Sequence, residues 1–322
     1  MIGCSLEQML RRKSRFLVRD FVETADGLLF AVVANGLEDR RVLACLRYVR
    51  TDGGLRKLDT LGAHQFLGQH HPEYLFHSAR RDITVHGVPP DRIAHHHRPS
   101  SRWREIASQP AGDDLLRKVQ RLASLFGLPA DTADCPGVTG SVLVGAHTER
   151  SDIDLVAYGR ASFQRARQLL RRAVEAGVLE ELTESLWRDA YARRGCSLTF
   201  EEYLWHEKRK FTKCAVVGTK VDLNAVMAEP ASVRQAARKL RQTVIRAVVH
   251  DASAAFDYPA IYRIRHPAVR EIVCFTPTYA GQARAAEVVQ AAGWLEQSHD
   301  GRLRLVIGTS READGEYLRV VS

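Results

Sequence analysis

The sequence predicts an α+β protein in three parts, and three observations along the chain support this prediction. Near the start, strand-like runs are separated by Asp26-Gly27 and Asn35-Gly36, pairs that are typical of tight turns between antiparallel strands. In the middle, apolar and polar residues alternate over short segments that have helical patterns between them. From residue 258 onward, short β-rich runs are separated by Gly, Pro, Ser and Asp. We therefore expect an antiparallel β-rich N-terminal domain, a central mixed sheet with helices, and a small C-terminal β domain.

The N-terminal part, residues 1–105, is predicted to be an antiparallel meander followed by a helix and a loop-rich segment. Pro72, Pro89-Pro90 and Pro99 interrupt the regular patterns after the helix. Eight of the 13 histidines fall between residues 64 and 97, and His95, His96 and His97 are consecutive. Because neighbouring side chains do not converge well on one ion, we expect a polar loop here rather than a zinc site. The expected strands cover 16–22, 28–34 and 42–50, and the expected helix covers 61–70.

The other two parts are assigned to residues 106–255 and 256–322. In the C-terminal part, the short runs are typical of a small barrel or curled sheet. Its aromatic residues Phe275, Tyr279 and Trp294 are either core residues or stacking surfaces for RNA, and core positions are the commoner use. The central helices are expected over 113–126, 161–176, 179–193, 199–208 and 231–250, the last as an amphipathic helix, and the C-terminal runs cover 270–275, 286–294, 302–307 and 317–321.

Composition indicates a globular protein with polyanionic partners. The chain has 322 residues, 45% of them hydrophobic, and a formal net charge of +9, which favours nucleoside triphosphates or RNA as partners. No apolar stretch approaches the roughly 20 residues of a membrane span, and the opening residues do not form a secretory signal. We therefore expect a cytoplasmic protein. The six cysteines contain no Cys-x-x-Cys pair, so buried thiols are expected rather than disulfides or a metal site.

The strongest motif is Gly140-Ser141 followed by Asp152-Ile153-Asp154. The run from Ser151 to Tyr158 alternates like a half-buried strand, on which residues i and i+2 point to the same side. Two carboxylates placed side by side repel each other unless a cation lies between them, and hard oxygen ligands favour Mg²⁺ or Mn²⁺. A second strand-like run, residues 214–226, contains a single acid, Asp222, between Val221 and Leu223. The motif therefore predicts a site for a metal-bound nucleotide.

This arrangement resembles the nucleotidyltransferase superfamily that includes DNA polymerase beta, the CCA-adding enzymes and the antibiotic-modifying adenylyltransferases. The matching pattern is Val138-Thr139-Gly140-Ser141, a spacer of about ten residues and Asp152-Ile153-Asp154, with Asp222 as the candidate third carboxylate. The resemblance covers about residues 112–230. The whole chain also resembles uncharacterised archaeal proteins described as predicted nucleotidyltransferases.

The resemblance implies a role for each motif residue. Asp152, Asp154 and Asp222 would bind one or two Mg²⁺ or Mn²⁺ ions, and Asp222 would also help to deprotonate the attacking hydroxyl. Gly140 and Ser141 would contact the phosphates of the bound nucleoside triphosphate. Two groups of basic residues lie close to the motif in sequence. We interpret them together as a phosphate-binding rim, and the alternative is a pair of solvated faces. These residues are Lys208, Arg209, Lys210 and Lys213, and Arg160, Arg165, Arg167, Arg171 and Arg172.

The expected activity is transfer of a nucleoside monophosphate from a triphosphate to a hydroxyl, with release of pyrophosphate. The acceptor stays open between RNA, a small molecule and a protein hydroxyl. The alternative is a catalytically inactive member of the same fold that acts as a nucleic-acid-binding module. The sequence does not predict an oligomeric state.

Overall fold

The computed structural model describes residues 15–78, 83–127, 136–227, 237–298, 300–308 and 314–321. Within these ranges the chain is an α+β protein with several sheets and more strand than helix, which confirms the coarse fold class. It divides into two compact units. The first comprises residues 1–180 and 214–228, and the second comprises 181–213 and 229–322. Two helices that the sequence analysis grouped with the central part thus belong with the C-terminal strands, and the division into three domains stays a prediction.

The first unit begins with an antiparallel sheet built around the predicted meander. The Asp26-Gly27 pair does form a turn between strands, and Gly27 has φ +74° at a point where a Cβ would lie 2.8 Å from Cβ of Arg50. The strands are β1 (Phe21–Thr24), β2 (Leu28–Val32), β3 (Val42–Thr51), β4 (Gly54–Lys57), β5 (Leu75–Ser78), β6 (Ile83–Val88) and β7 (Ile93–His97). Their order is β5-β6-β3-β2-β1-β7, with β4 paired to β3.

One helix, α1 (Thr60–His70), packs on this sheet where the sequence predicts it. Asp59 caps the helix, because its side chain accepts a hydrogen bond from the backbone N–H of Gly62 at 2.7 Å. Ala63 and Leu67 are the buried residues of the helix, and both belong to the core formed with the strands. The core residues of the strands include Val22, Leu28, Phe30, Val42, Ala44 and Leu46.

The histidine-rich segment is not a polar loop, so that prediction is wrong. His95, His96 and His97 lie on β7, which pairs with β1. His96 Nε2 lies 2.8 Å from the carboxylate of the buried Asp20, and His97 Nε2 lies 2.9 Å from that of Glu23. The imidazoles of His96 and His97 thus each have a carboxylate partner more than 70 positions away in the sequence, and the local sequence pattern does not reveal these partners.

The second sheet of the first unit carries the Asp-x-Asp motif. Its central pair is parallel, and the strand on the other side of the motif is antiparallel. The strands are β8 (Gly137–Thr139), β9 (Ile153–Tyr158), β10 (Lys213–Val216) and β11 (Thr219–Val226), in the order β10-β11-β9-β8. The helices are α2 (Pro99–Ser108), α3 (Asp114–Phe126), α4 (Gly140–Val144) and α5 (Arg160–Glu175), of which α3 and α5 lie within one residue of their predicted bounds.

The second unit is a closed barrel of five strands with two helices. Pairing of the first barrel strand with the fourth closes the ring, so the predicted small barrel is confirmed. The strands are β12 (Ala237–Ala254), β13 (Ala260–Arg265), β14 (Val269–Cys274), β15 (Val288–Ser298), β16 (Leu303–Ile307) and β17 (Tyr317–Val320), and the helices are α6 (Glu184–Arg194) and α7 (Phe200–Lys210). The ring runs β12-β13-β14-β16-β15 and returns to β12, with β17 added to β15, and this is the strand path of an OB-type barrel.

The predicted amphipathic helix over residues 231–250 is wrong where the structure describes it. From Ala237 onward the chain is β12, which pairs with β15 along most of its length. Ile245, Ala247 and Val249 point into the barrel core, whereas Val244 and Arg246 are exposed. The many Ala and Arg residues favour a helix locally, but pairing with two neighbouring strands outweighs this preference. Residues 231–236 lie outside the described residues.

Of the three aromatic residues singled out in the barrel, Tyr279 is a core residue. Tyr279 is buried, and its hydroxyl donates to the carbonyl of Glu316 at 3.0 Å, so its expected alternative role as an RNA-stacking surface is wrong. Phe275 and Trp294 are half-buried. The helices α6 and α7 supply Trp187 and Tyr203 to the same core.

Candidate active site

The structure brings the three predicted carboxylates together on one face of the second sheet. Asp154 lies near the start of β9, between Thr139 of β8 on one side and Asp222 of β11 on the other. Because Asp154 and Asp222 are directly paired on neighbouring parallel strands, their side chains project to the same face. Asp152 immediately precedes β9, two positions before Asp154, and extends this face.

An ammonium group that the sequence analysis did not single out lies between two of these carboxylates. Lys220 Nζ is 2.6 Å from Asp222 Oδ2 and 3.0 Å from Asp152 Oδ2. Burial alone would lower the pKa of Lys220, but the charges of Asp222 and Asp152 outweigh this and raise it. The ammonium therefore stays protonated and neutralises part of the negative charge of the site. Its position two residues before Asp222 on a strand is the sequence feature that could have indicated it.

Burial and the surrounding charges together shift the pKa of Asp154. Burial, followed by the negative charges of Asp222 and Asp152, raises the pKa of Asp154 to about 6. The charges of Arg19 and Lys220 act in the opposite direction. A cation close to a carboxylate with this raised pKa stabilises its ionised form and lowers its pKa.

Gly140 lets the backbone approach Asp154 at the start of α4. Its φ is +67°, and a Cβ at this position would lie 2.6 Å from Asp154 Oδ2. The helix begins at Gly140, and Ser141 follows it half-buried. With only five residues, α4 has a small dipole, so its main contribution is to place the Gly140-Ser141 backbone beside the carboxylates.

Gly140→Ala is therefore expected to displace Asp154 and to weaken any function of the site. The added methyl group requires a strained left-handed backbone, which costs about 1 kcal/mol, and it also overlaps a carboxylate oxygen. We expect the free energy of unfolding to fall by about 1–3 kcal/mol in urea denaturation. Gly145→Ala is the matched control, because Gly145 has φ +70° but open space at its Cβ position. A loss with Gly145→Ala as large as that with Gly140→Ala would contradict the role of the close approach.

The guanidinium of Arg19, in the loop before β1, also lies at this site. Arg19 has φ +77°, and its guanidinium donates a hydrogen bond to Oδ1 of Asn224 at 2.9 Å. Asn224 lies on β11 two residues after Asp222, so it shares the same face. The carbonyl of Arg19 accepts a hydrogen bond from the hydroxyl of Thr139 at 2.7 Å. No local sequence pattern relates Arg19 to the motif, since it lies 205 positions before Asn224.

The loop that carries Arg19 is held in place by buried contacts. Asp20 is fully buried, accepts a hydrogen bond from the backbone N–H of Leu17 at 3.1 Å, and contacts His96. Farther along the sheet, Tyr48 packs with Leu143 of α4. Burial raises the pKa of Tyr48, and the charge of Asp154 adds to this. The N-terminal sheet is therefore part of the structure that supports the site.

The predicted nucleotide-binding lysines belong to the second unit. Lys208 is exposed on α7. Lys210 is buried and Lys213 is half-buried, and each ammonium group lies 2.5 Å from a carboxylate oxygen of Glu207. Lys210 also donates to the carbonyl of Thr278 at 2.7 Å. These contacts give Lys210 and Lys213 a structural role in the second unit, and their binding to a nucleotide stays a prediction.

The arginines of α5 make contacts within their own helix. Arg167 donates to Gln164, Arg171 pairs with Glu175, and Arg165 donates to Ser162. These are contacts typical of a solvated helix face, and the predicted phosphate-binding rim stays a prediction.

The residues present fit a hard divalent cation only if Lys220 moves. Three carboxylates and an amide oxygen on one face are the donor types that Mg²⁺ prefers. Across the described ranges, however, no group of three or more His, Cys, Asp or Glu side chains is arranged to hold a metal ion as it stands. The ammonium of Lys220 lies between Asp152 and Asp222, where a cation shared by these two carboxylates would lie.

Comparison with known proteins places this chain in a family. Its fold and site define an α+β protein with three carboxylates on one sheet face. The chain is 31% identical to the uncharacterized protein MJ1086 of the archaeon Methanocaldococcus jannaschii, over 94% of this chain and 98% of that protein, and it belongs to the same family. No model of a known protein family matches the chain. No solved structure matches it significantly.

Among the residues described, no helix combines the length and the apolar character that a membrane crossing requires.

Proposed function

We propose that this chain is a metal-dependent nucleotidyltransferase that moves a nucleoside monophosphate from a triphosphate to a hydroxyl acceptor. The observation that carries the proposal is the direct pairing of Asp154 with Asp222 on parallel strands, with Gly140 packed against Asp154. The spacing of Gly140-Ser141 and Asp152-Ile153-Asp154 supports the same activity. The acceptor is RNA, a small molecule or a protein hydroxyl.

In the proposed reaction, the acceptor oxygen forms a bond to the α-phosphorus, and the bond from this phosphorus to the bridging oxygen breaks to release pyrophosphate. Asp222 receives the proton of the acceptor hydroxyl. Asp152, Asp154 and Asp222 would hold Mg²⁺ or Mn²⁺, which when bound supplies charge stabilisation to the entering and leaving oxygens. The backbone at Gly140 and Ser141 would donate hydrogen bonds to the triphosphate.

Lys220 and Arg19 have roles that follow from their charges. The ammonium of Lys220 neutralises part of the charge of Asp152 and Asp222, and it would be available to contact a phosphate oxygen where these carboxylates hold Mg²⁺ or Mn²⁺. Arg19, held beside Asn224, would add a second positive charge next to the triphosphate. Both side chains belong to the first unit, as do the three carboxylates.

The test is incubation of the purified protein with each of four α-labelled nucleoside triphosphates, Mg²⁺ or Mn²⁺, and total RNA from a matched source. We expect label to move into RNA, a small molecule or the protein with the unaltered chain, and not with Asp152→Ala/Asp154→Ala. Glu184→Ala/Asp189→Ala is the matched control, because it removes two exposed carboxylates from α6.

Two results would separate this activity from the alternative. Transfer that persists in Asp152→Ala/Asp154→Ala would contradict the assignment of the site. No transfer with either metal, together with retention of RNA by both forms and no metal-dependent binding of nucleotide, would favour an inactive nucleic-acid-binding module.

A further inference from the structure

An exposed indole stands out on the second unit. Trp205 lies on α7, and half of its surface is accessible. The guanidinium of Arg209, one helical turn further on, lies over the indole with its Cζ 4.1 Å from the ring centroid. This cation–π contact orients the ring without burying it. Trp205 is absent from the barrel core, to which Tyr203 on the same helix contributes.

Arg209, which contacts this indole, is connected to the first strand of the barrel through Glu287. Arg209 forms an ion pair with Glu287, and the carbonyl of Glu287 accepts a hydrogen bond from the backbone N–H of Val249 at 2.9 Å. Arg284 donates its backbone N–H to the carboxylate of Glu287 at 2.8 Å and its guanidinium to the carbonyl of Arg209 at 3.3 Å. The end of α7, the loop before β15 and the middle of β12 therefore form one continuous surface.

Further arginines extend this surface across the barrel. On β12, Val244, Arg246 and Val248 point outward, because the residues between them are buried in the barrel core. Arg265 of β13 lies directly opposite Val248, so Arg246 and Arg265 share the outer face, and both are exposed. The nearest acid on β12 is Asp251, which lies 3.9 Å from Arg263.

We propose that the surface formed by Trp205, Arg209, Arg284, Arg246 and Arg265 binds a single-stranded polynucleotide. The four guanidinium groups outnumber the one carboxylate among them, Glu287, so the surface attracts a polyanion. An exposed aromatic ring beside such cations is the combination that single strands require, since bases stack on the ring while arginines contact the phosphates. A barrel of this type hosts many functions, so its strand path alone does not identify a ligand.

This binding does not depend on nucleotidyl transfer, and it is tested by fluorescence anisotropy with the full chain. The probes are labelled 20-nucleotide single strands of RNA and DNA, the corresponding duplexes, and heparin as a polyanion without bases. We expect Arg246→Glu/Arg265→Glu to weaken single-strand binding more than tenfold and to reduce its salt dependence. Trp205→Ala should weaken it about tenfold, the effect of losing one stacked base, and leave heparin binding unchanged.

A matched variant controls for the change in net charge. Arg188→Glu/Arg193→Glu changes the net charge by the same amount at exposed positions of α6 in the same unit, and should leave binding nearly unchanged. A single strand of either RNA or DNA bound by this surface supports the proposal, and the ratio of the two affinities identifies the ligand. The proposal is overturned if duplexes bind more tightly than single strands, if the α6 variant weakens binding as much, or if Trp205→Ala has no effect in a protein whose thermal unfolding is unchanged.

Discussion

Replacing Asp154 by Asn is expected to abolish the proposed nucleotidyl transfer and at the same time to stabilise the folded protein at pH 7. Transfer should fall by about 10³-fold or more, because a charge that would stabilise the reaction is lost from the centre of the site. The free energy of unfolding should rise by about 1–3 kcal/mol, because Asn removes a carboxylate whose ionised form is destabilised by burial and by Asp222.

The sign of the pH dependence follows from the raised pKa of Asp154. Its pKa rises from the ordinary 3.8 to about 6, so the folded state binds this proton more tightly than the unfolded state. Its contribution to stability is therefore present below pH 4 and is lost as the pH rises through 6. Urea unfolding of the unaltered protein at pH 5 and pH 7 should show this loss, and Asp154→Asn should remove it.

Asp114→Asn provides the control for Asp154→Asn, since Asp114 is exposed on α3 in the same unit and its replacement changes the net charge equally. It should alter neither transfer nor the pH dependence between 5 and 7. A destabilised Asp154→Asn, or one that retains the pH dependence of the unaltered protein, would contradict the electrostatic account of the site.

The second large effect is expected in the other unit, at the buried cluster of Glu207, Lys210 and Lys213. Glu207→Ala should lower the free energy of unfolding by about 3–5 kcal/mol, because it leaves two buried ammonium groups without their shared carboxylate. Burial alone would raise the pKa of Glu207, but the charges of Lys210 and Lys213 outweigh this and hold it at about 2. This contribution to stability is therefore complete above pH 4.5 and is lost as the pH falls towards 2.

Two variants make this measurement specific to the cluster. Glu201→Ala removes an exposed carboxylate from the same helix and should have little effect on urea or thermal unfolding. Glu207→Leu/Lys210→Met/Lys213→Met replaces the whole cluster by apolar groups and should recover much of the lost stability. A Glu207→Ala protein as stable as Glu201→Ala would show that the cluster does not hold the second unit together.

The sequence predicted the parts of the site that follow from strand geometry. Asp152 and Asp154 lie two positions apart. The resemblance implies a third carboxylate on a neighbouring strand, and Asp222 is the single acid of the later strand-like run. Arg19 could not be found this way, because its approach depends on a loop that Asp20 and His96 hold in place. Lys220 could have been recognised from the sequence, because it precedes Asp222 by two positions in a strand-like run.

The elements of the fold that the sequence predicts correctly are those with local signals, and the elements that it does not predict depend on pairings distant in the sequence. Turns marked by Gly, and helices with a capping residue such as Asp113, are local features and were recovered. The sequence of β12 predicts a helix because Arg, Ala and Leu favour helices, whereas its longest pairing is with the distant strand β15, where Ala237 pairs with Ser298 and Val248 with Val288. The histidine strand β7 was missed because the residues that it pairs with, near Val22, are distant in sequence.

The route of the chain between the two units has a consequence for dissecting the protein. After β9 and α5 the chain leaves the first unit at residue 180, contributes residues 181–213 to the second, and returns with residues 214–228, which carry Asp222. A fragment that ends at residue 180 therefore keeps Asp152 and Asp154 but lacks their third partner. Pairing of Asp222 with Asp154 closes a loop of more than 60 residues, which carries a larger entropic cost than a contact between neighbours in the sequence. Neither unit can be expressed as one uninterrupted piece of the gene, and a permuted or internally linked chain would be required instead.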